Sequence, residues 1–320
     1  MMKAAVHYQY GSSDVIKIRE VEKPVPGKDE VLVRVRSATV NRTDCAMLTA
    51  KPFFMRLQTG LIKPGKIISG TDFAGGVEAA GENVSMFKAG DRIFGFDDNG
   101  LSSHAEYLTI SEKNAVAKIP GEFSFEEAAA SIEGAHYAYN FLNKVDLKSG
   151  QKVLVNGASG AIGSAALQLL KYYGADVTAV CDGKNTGLVI SLGADKVIDY
   201  EKENFTHTDE KFDFVFDTVG KSTFGKCKRI LKSGGVYISS ELGPYAQNPF
   251  LTLFTKVFGN KKVKFPLPLN RLRSVLFIRK LLEDGLFRPV IDRKYDLDET
   301  GEAFRYVLKG QKTGNVVLSV

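Results

Sequence analysis

The chain has 320 residues, 44% of them hydrophobic and 25% charged, with a net charge of +6, which suits a globular protein of two domains. Its positive residues are scattered apart from clusters such as KVFGNKKVK at 256–264, with no basic stripe interleaved with aromatics, so no nucleic-acid partner is expected. Three separated cysteines (Cys45, Cys181 and Cys227) exclude a disulfide framework and fit a reducing cytoplasmic setting, and without an apolar run of ~18 residues or a signal-peptide core no membrane partner is expected.

Residues 1–120 read as β-rich. The runs VIKIRE, EVLVRVRSATV, FAGGVEAA, DRIFGF and AEYLTI are β-branched or alternating, and PVPGKDE, NVSMFKAGD and DDNG separate them as turns. Short strands at this spacing predict a barrel-like all-β unit. KPFFMRLQTGLIKPGK (51–66) interrupts them as a loop with a helical turn. Its Phe53, Phe54, Met55 and Leu57 are candidates to line an apolar pocket.

From about residue 121 the pattern changes. SFEEAAASIEGAHYAYNFLNKV has helical spacing, and Ser124 with Glu127 forms a capping-box signature. Strands are then predicted at 153–157, 176–181, 196–199, 213–217 and 235–240, and helices near 161–173, 184–192 and 222–232. This alternation predicts an α/β Rossmann unit with a doubly wound parallel sheet. NRLRSVLFIRKLLEDG (270–285) is one more amphipathic helix. The tail returns to a strand, a helix and a final strand, closer in character to the first domain. The predicted division is 1–120 plus 286–320 against 121–285.

Gly157, Gly160 and Gly163 lie between the apolar strand KVLVNGA and the amphipathic helix AIGSAALQLLKYYG. The first permits a tight turn, the second lets backbone approach a pyrophosphate, and the third lets helix and strand pack closely. The amides at the helix start then face phosphate. The spacing is G-x-x-G-x-x-G, with Ala158 and Ser159 between the first two glycines. Asp182 ends the second strand, where a carboxylate can bond a ribose 2′-hydroxyl and favour NAD. Lys184 and Asn185 follow at once, and a lysine there can pair with a 2′-phosphate and favour NADP. Asp182 can also simply cap the next helix. The cofactor is therefore NADPH or NADH. Ser159, Ala161 and Ile162 complete the loop candidates, and Val219 in DTVG (217–220) ends the fourth strand.

These blocks carry a resemblance. YGSSDVIKIREVEKPVPGKDEVLVRVRSATVNRTD, GTDFAGGVEAAGENVSMFKAGDRIFGF, SGQKVLVNGASGAIGSAALQLLKYYGADVTAV, LGADKVIDY and KTGNVVLSV together span residues 8–320. The chain resembles the medium-chain dehydrogenase/reductase superfamily, in its zinc-free quinone oxidoreductase and enone reductase branch. The resemblance implies a GroES-like catalytic domain with the Rossmann domain inserted, an active site in the cleft between them, and Tyr200 and Asn315 as further cofactor candidates. In zinc alcohol dehydrogenases of this superfamily a cysteine stands where this chain has Asn41, and a His-Glu pair where it has Thr71-Asp72. Neither an amide nor a threonine hydroxyl is a usual zinc ligand, so no metal is expected.

What remains is hydride transfer to an activated acceptor, a quinone or an α,β-unsaturated carbonyl, whose developing oxyanion needs a donor. Asn41 is the first candidate donor, with Asp44 holding the NRTD turn and Cys45 lining core or cleft. In EGAHYAYNF (133–141), where related reductases carry an aliphatic-Thr-Ala stretch, Tyr137 is a candidate proton donor or shield for the nicotinamide, and His136 a lesser one. An alkenal-detoxifying reductase and a nucleotide-binding redox sensor with little turnover are the alternatives. YAQNPFLTLFTKVFGN (245–260) is placed by the resemblance near the cleft and a dimer edge, with KVKFPLP (262–268) the candidate edge strand of a homodimer. Gly160→Val is expected to abolish NAD(P)H binding by blocking the pyrophosphate approach, as a fluorescence titration of the reduced nicotinamide would show; unchanged affinity would remove the phosphate-loop assignment.

Overall fold

The computed structural model describes residues 1–53, 55–267 and 269–320. In chain order it begins β1 (Met2–Val6), β2 (Lys17–Val21), β3 (Glu30–Val40), α1 (Arg42–Thr49), α2 (Met55–Thr59), β4 (Asp72–Ala80), β5 (Arg92–Phe96), β6 (Tyr107–Ser111), β7 (Val116–Lys118) and α3 (Phe125–Ala130). It continues α4 (Glu133–Leu142), β8 (Lys152–Asn156), α5 (Ala161–Tyr172), β9 (Asp176–Cys181), α6 (Thr186–Ser191), β10 (Lys196–Asp199), β11 (Phe212–Asp217), α7 (Phe224–Cys227), β12 (Leu231–Ser239), α8 (Gln247–Val257) and β13 (Lys262–Lys264). It ends α9 (Arg271–Glu283), β14 (Ile291–Asp296), α10 (Thr300–Leu308) and β15 (Asn315–Ser319).

The chain divides into two compact units, Met1–Glu133 with Asn270–Val320, and Gly134–Leu269. The composition shift suggested boundaries at 120/121 and 285/286. The structure puts α3 and α9 in the first unit because α3 packs on β3, β4 and β15, and α9 on β5 and β7. Arg271 at the start of α9 also bonds Asp97 and, at 2.6 Å, Asp98.

In the first unit β3 is the organiser. It pairs antiparallel with β4, β6 and β15, and the sheet runs β14-β15-β3-β4-β5-β7. Its alternation sends Val31, Val33 and Val35 into a core with Phe73, Ile93 and Leu108. A second cluster, with Cys45 and Leu48 of α1 against Phe304 and Val307 of α10, covers the end of β3 at Val40. In the second unit six parallel strands run β10-β9-β8-β11-β12-β13. Leu154, Val180, Val215 and Tyr237 bury one face.

Two predicted helices change. The run after residue 124 breaks at Ser131, which caps α3 after the Ser124–Glu127 box has started it. The helix expected to 232 ends at Ile230, because Leu231 is already paired with Phe212 of the neighbouring strand.

Close packing explains Gly163. A Cβ on Gly163 would stand 2.2 Å from the Gly157 carbonyl oxygen and 2.7 Å from Ala158 Cα, so α5 lies directly on the turn after β8. A Cβ on Gly160 meets nothing nearer than 3.5 Å. Gly163→Ala should therefore lower the urea unfolding free energy by ~1–3 kcal/mol through overpacking, while Gly160→Ala stays within about 0.5 kcal/mol of the parent; equal losses would contradict this division.

Candidate active site

The candidate residues fall into two groups, one in each unit. In the second unit, β8 ends at Asn156 and the chain turns through Gly157, whose φ of 80° is left-handed backbone. The amides of Gly157 and Ala158 both donate to the Val180 carbonyl, at 3.1 and 3.0 Å. That anchors the turn, and Ser159–Ile162 lie half-buried beyond it. Gly160 is the N-cap of α5, and no side chain caps the helix. The first-turn amides of α5 thus have no intrahelical acceptor, as an anion site requires. A Cβ at Gly160 would meet only the Gly157 carbonyl oxygen, at 3.5 Å, so packing within the fold does not require a glycine there.

Asp217 lies behind this loop and was not singled out from the sequence. Its buried carboxylate accepts from Asn156 Nδ2 at 2.9 Å, Ser222 N–H at 2.9 Å and Tyr237 Oη at 3.0 Å. It ties together the carboxyl ends of β8, β11 and β12. Thr218 adds a hydroxyl bond to the Asn156 carbonyl at 2.8 Å. Val219 packs on Gly157, where a Cβ would come within 2.4 Å of it. A Cβ on Gly134 would meet the Ala161 carbonyl at 2.7 Å, so the start of α4 backs onto the loop. This brings the helix carrying His136 and Tyr137 to the Gly157–Gly163 turn. His136 is buried, Tyr137 is half-buried, and their rings meet edge to face at 5.5 Å.

At the end of β9, Asp182 does not cap the following turn. One carboxylate oxygen accepts from Asn185 Nδ2 at 2.5 Å and the other lies 3.3 Å from Lys184 Nζ. The Lys184 side chain is 68% exposed against 15% for Asp182, so the ammonium is the accessible charge. Tyr200, whose amide bonds the Cys181 carbonyl at 3.1 Å, is also exposed and feels the charges of both Asp182 and Lys184.

The first unit holds a buried polar knot. Thr39, Asn41, Asp44, Thr71, Asp72 and Glu133 are all buried. Asp72 accepts from the Thr39 amide at 2.7 Å and the Thr39 hydroxyl at 2.5 Å. Asn41 Nδ2 donates to Thr39 Oγ1 at 2.5 Å and to Glu133 Oε2 at 3.1 Å, so both amide hydrogens are committed. Thr71 Oγ1 donates to the same Glu133 oxygen at 2.5 Å. Asp44 accepts from the Asn41 amide at 2.8 Å, holding the start of α1, and its other oxygen has no partner. Behind Thr39, the buried His104 ring bonds the Thr39 carbonyl through Nε2 at 2.9 Å. Desolvation lowers the His104 pKa to about 4, so it is neutral and Nε2–H is the donor.

Desolvation also pushes Asp72 up to about 8, Asp44 well above the usual carboxylate range, and Glu133 upward, with Glu133 adding repulsion to the first two. The half-buried Lys312, brought down to about 8 by desolvation, supplies a nearby positive charge. Its amine bonds the Gly314 carbonyl at 2.5 Å. Three carboxyls this close do not all ionise at neutral pH. Asn315 is buried in the same unit, its amide nitrogen on the Val290 carbonyl at 3.1 Å and its amide oxygen without a partner. Cys45 is buried in the α1–α10 cluster, and burial raises its thiol pKa.

The family description "alcohol dehydrogenase GroES-like domain" matches residues 27–130, and "zinc-binding dehydrogenase" matches 192–318. A tomato (Solanum lycopersicum) 2-methylene-furan-3-one reductase is 34% identical, over 99% of this chain and 79% of its own length. The chain belongs to the medium-chain dehydrogenase/reductase superfamily, in the zinc-free quinone oxidoreductase and enone reductase branch. It is an oxidoreductase of that type. An Arabidopsis thaliana protein named NADPH-dependent alkenal/one oxidoreductase, chloroplastic, is 31% identical over 99% of this chain and 79% of its own. The quinone oxidoreductase structure from Coxiella burnetii superposes with a TM-score of 0.88 at 26% identity, covering 100% of this chain and 99% of that one. Despite the second family description, the knot does not fit a zinc ion. At the positions where metal relatives carry ligands it offers an amide and a hydroxyl, both spent as donors on Glu133.

The knot predicts a pH dependence of stability. A carboxyl whose pKa is raised in the fold holds a proton there that the unfolded chain has lost. Stability therefore falls as pH rises from the unfolded value, 3.8, toward about 8. His104, lowered from 6.5 to about 4, acts with the opposite sign below 6.5, and Lys312, lowered from 10.5 to about 8, does so from near pH 8 upward. Between pH 6.5 and 8 the parent should lose stability with rising pH, and Asp72→Asn should flatten that slope by up to ~1.4 kcal/mol per pH unit; denaturant titrations that give parallel slopes would refute it.

Proposed function

We propose that this enzyme reduces a quinone or an α,β-unsaturated ketone with NADPH and without a metal. The observation that carries this reading is the Glu133 knot. Where metal relatives hold a Lewis acid, this chain spends Asn41 and Thr71 on one carboxylate oxygen. The acceptor must then already be activated, as quinones and enones are.

Bound at the Gly157–Gly163 turn, a reduced nicotinamide would supply the hydride. The protein's part is to hold and exclude. The α5 amides take the pyrophosphate, Val219 and Thr218 shape the turn, and Lys184 with Tyr200 takes the adenosine end. Asp182 is hydrogen-bonded by Asn185 and offset in charge by the more exposed Lys184, which weakens its repulsion of a 2′-phosphate and favours NADPH. Asn41 then orients Glu133 rather than serving as the oxyanion donor, and Tyr137 is the proposed proton source.

A cavity of about 280 Å³ in the first unit is the proposed acceptor pocket, lined by His7, Tyr10, Met47, Gln58, Ile68 and Asn99 among others. Loop 51–66 contributes Gln58, Thr59, Pro64, Gly65 and Lys66. Phe53 and Leu57, expected there, are 76% and 80% exposed instead, and Met55 is not among the lining residues; Phe54 lies outside the described residues. The volume suits a one-ring acceptor. An alkenal would use the same residues.

A homodimer through the outer strand β13 is retained as a proposal, since among the described residues β13 has a sheet neighbour on one side only. Pro268, in the expected KVKFPLP edge, lies outside the described residues. A reducing cytoplasmic setting is likewise proposed from three buried, unpaired cysteines.

The deciding experiment follows oxidation of NADPH and of NADH with a panel of quinones, enones and alkenals. Turnover is expected with NADPH and at least one of these acceptor classes. Lys184→Glu should raise the KM for NADPH ~10–100-fold, the loss of one charge-assisted contact, and leave NADH nearly unchanged. Tight binding without turnover across the panel would favour the redox-sensor alternative.

A further inference from the structure

Most polar groups lining the cavity of the first unit are already bonded to protein. The Tyr10 hydroxyl donates to the Gly60 carbonyl at 2.7 Å, and the Thr59 hydroxyl to the Met55 carbonyl at 2.9 Å. Gln58 Nε2 donates to Asn99 Oδ1 at 2.9 Å, and Asn99 Nδ2 to Asp97 Oδ1 at 3.0 Å. Lys66 Nζ rests on the Asn99 and Gly100 carbonyls at 3.2 and 2.5 Å. Gln58 and Lys66 are exposed, so water meets whatever hydrogens they leave over.

His7 and Ser69 differ. Both line the cavity, yet they are only 4% and 9% exposed. Among the described residues the Ser69 hydroxyl has no hydrogen-bond partner. The His7 ring has one, the Ile67 carbonyl. A carbonyl only accepts, so the ring nitrogen that faces it carries the proton. Burial holds the His7 pKa below its ordinary value, with the Ile67 bond opposing it in part, so the ring is neutral at pH 7 and above. In a neutral imidazole the second nitrogen is then an acceptor. Keeping it out of water without a donor costs free energy. The cavity therefore presents an unmet acceptor nitrogen beside an unused hydroxyl, on a wall that water scarcely reaches.

We propose that His7 makes this pocket select an acceptor that carries a hydroxyl group. The hydroxyl donates to the free His7 nitrogen, and Ser69 supplies a second polar contact in the same cavity. An acceptor with hydrogen or a methoxy group in that place leaves the nitrogen unpaired, and the selectivity comes from that difference. The inference rests on the reading of this cavity as the acceptor pocket, and within the quinones and enones it names the hydroxylated ones. His7 is a specificity determinant, with no part in hydride transfer.

The test uses two matched series with NADPH: 2-cyclohexen-1-one with its 4-hydroxy and 4-methoxy forms, and methyl-1,4-benzoquinone with its hydroxymethyl and methoxymethyl counterparts. In at least one series kcat/KM should be roughly three- to ten-fold higher for the hydroxyl form than for the other two, the worth of one neutral hydrogen bond. His7→Phe keeps a ring and removes both nitrogens, and it should erase the preference. His7→Gln, which keeps an acceptor atom, should restore part of it. The readout is a ratio within one variant, so a loss of folded protein cancels. No preference in the parent, or a preference that survives His7→Phe, overturns the inference. Met47→Trp separates this from a failure of the pocket reading. Met47 lines the cavity, so the larger side chain should raise KM for every acceptor; unchanged KM values place the acceptor elsewhere, and the inference falls with the pocket. If neither series turns over, that indole, the only one in the chain, follows binding of the same cyclohexenones. The same preference is then expected in Kd, and its absence overturns the inference.

Discussion

One carboxylate oxygen, Glu133 Oε2, organises the polar centre of the first unit. Thr71 and Asn41 reach it from the start of β4 and the end of β3, and Glu133 itself opens α4. Asn41 passes the link to Thr39, Thr39 to Asp72, and His104 holds the Thr39 carbonyl from behind. Every donor in this chain is already engaged by protein. Burying several carboxyls costs free energy unless they are bonded or neutral. Here they are both bonded and biased toward the neutral form.

Much of the fold is legible in the sequence because strands alternate and parallel strands are continuous apolar runs. EVLVRVRSATV is β3 to the residue, and 176–181 and 196–199 are β9 and β10. α1 was not foreseen, because a helix burying little more than Cys45 and Leu48 shows no periodicity. α8 was seen only as an apolar stretch. Periodicity finds an apolar face but does not say whether the protein covers it, and here the protein turns that face outward.

The site divides in the same way. The glycine turn is local, so its three glycines and the strand–turn–helix around them announce it. Glu133 and Asp217 act through partners far along the chain; 92 residues separate Glu133 from Asn41, and 61 separate Asp217 from Asn156. No spacing rule joins such pairs. Asn41 was singled out for its position among relatives, yet its chemistry here follows from a neighbour that only the folded chain supplies.

Asp217 has a consequence for the energetics of recognition. Its carboxylate, at the end of β11, ties in β8 through Asn156, β12 through Tyr237 and the following loop through the Ser222 amide. The rim that would receive a dinucleotide is therefore ordered before any ligand arrives. Association there would spend little on freezing backbone, and more of the contact energy would appear as affinity. On the proposed reading, specificity can drift at Lys184 and Tyr200, exposed side chains beyond the clasp, without loosening the platform they stand on.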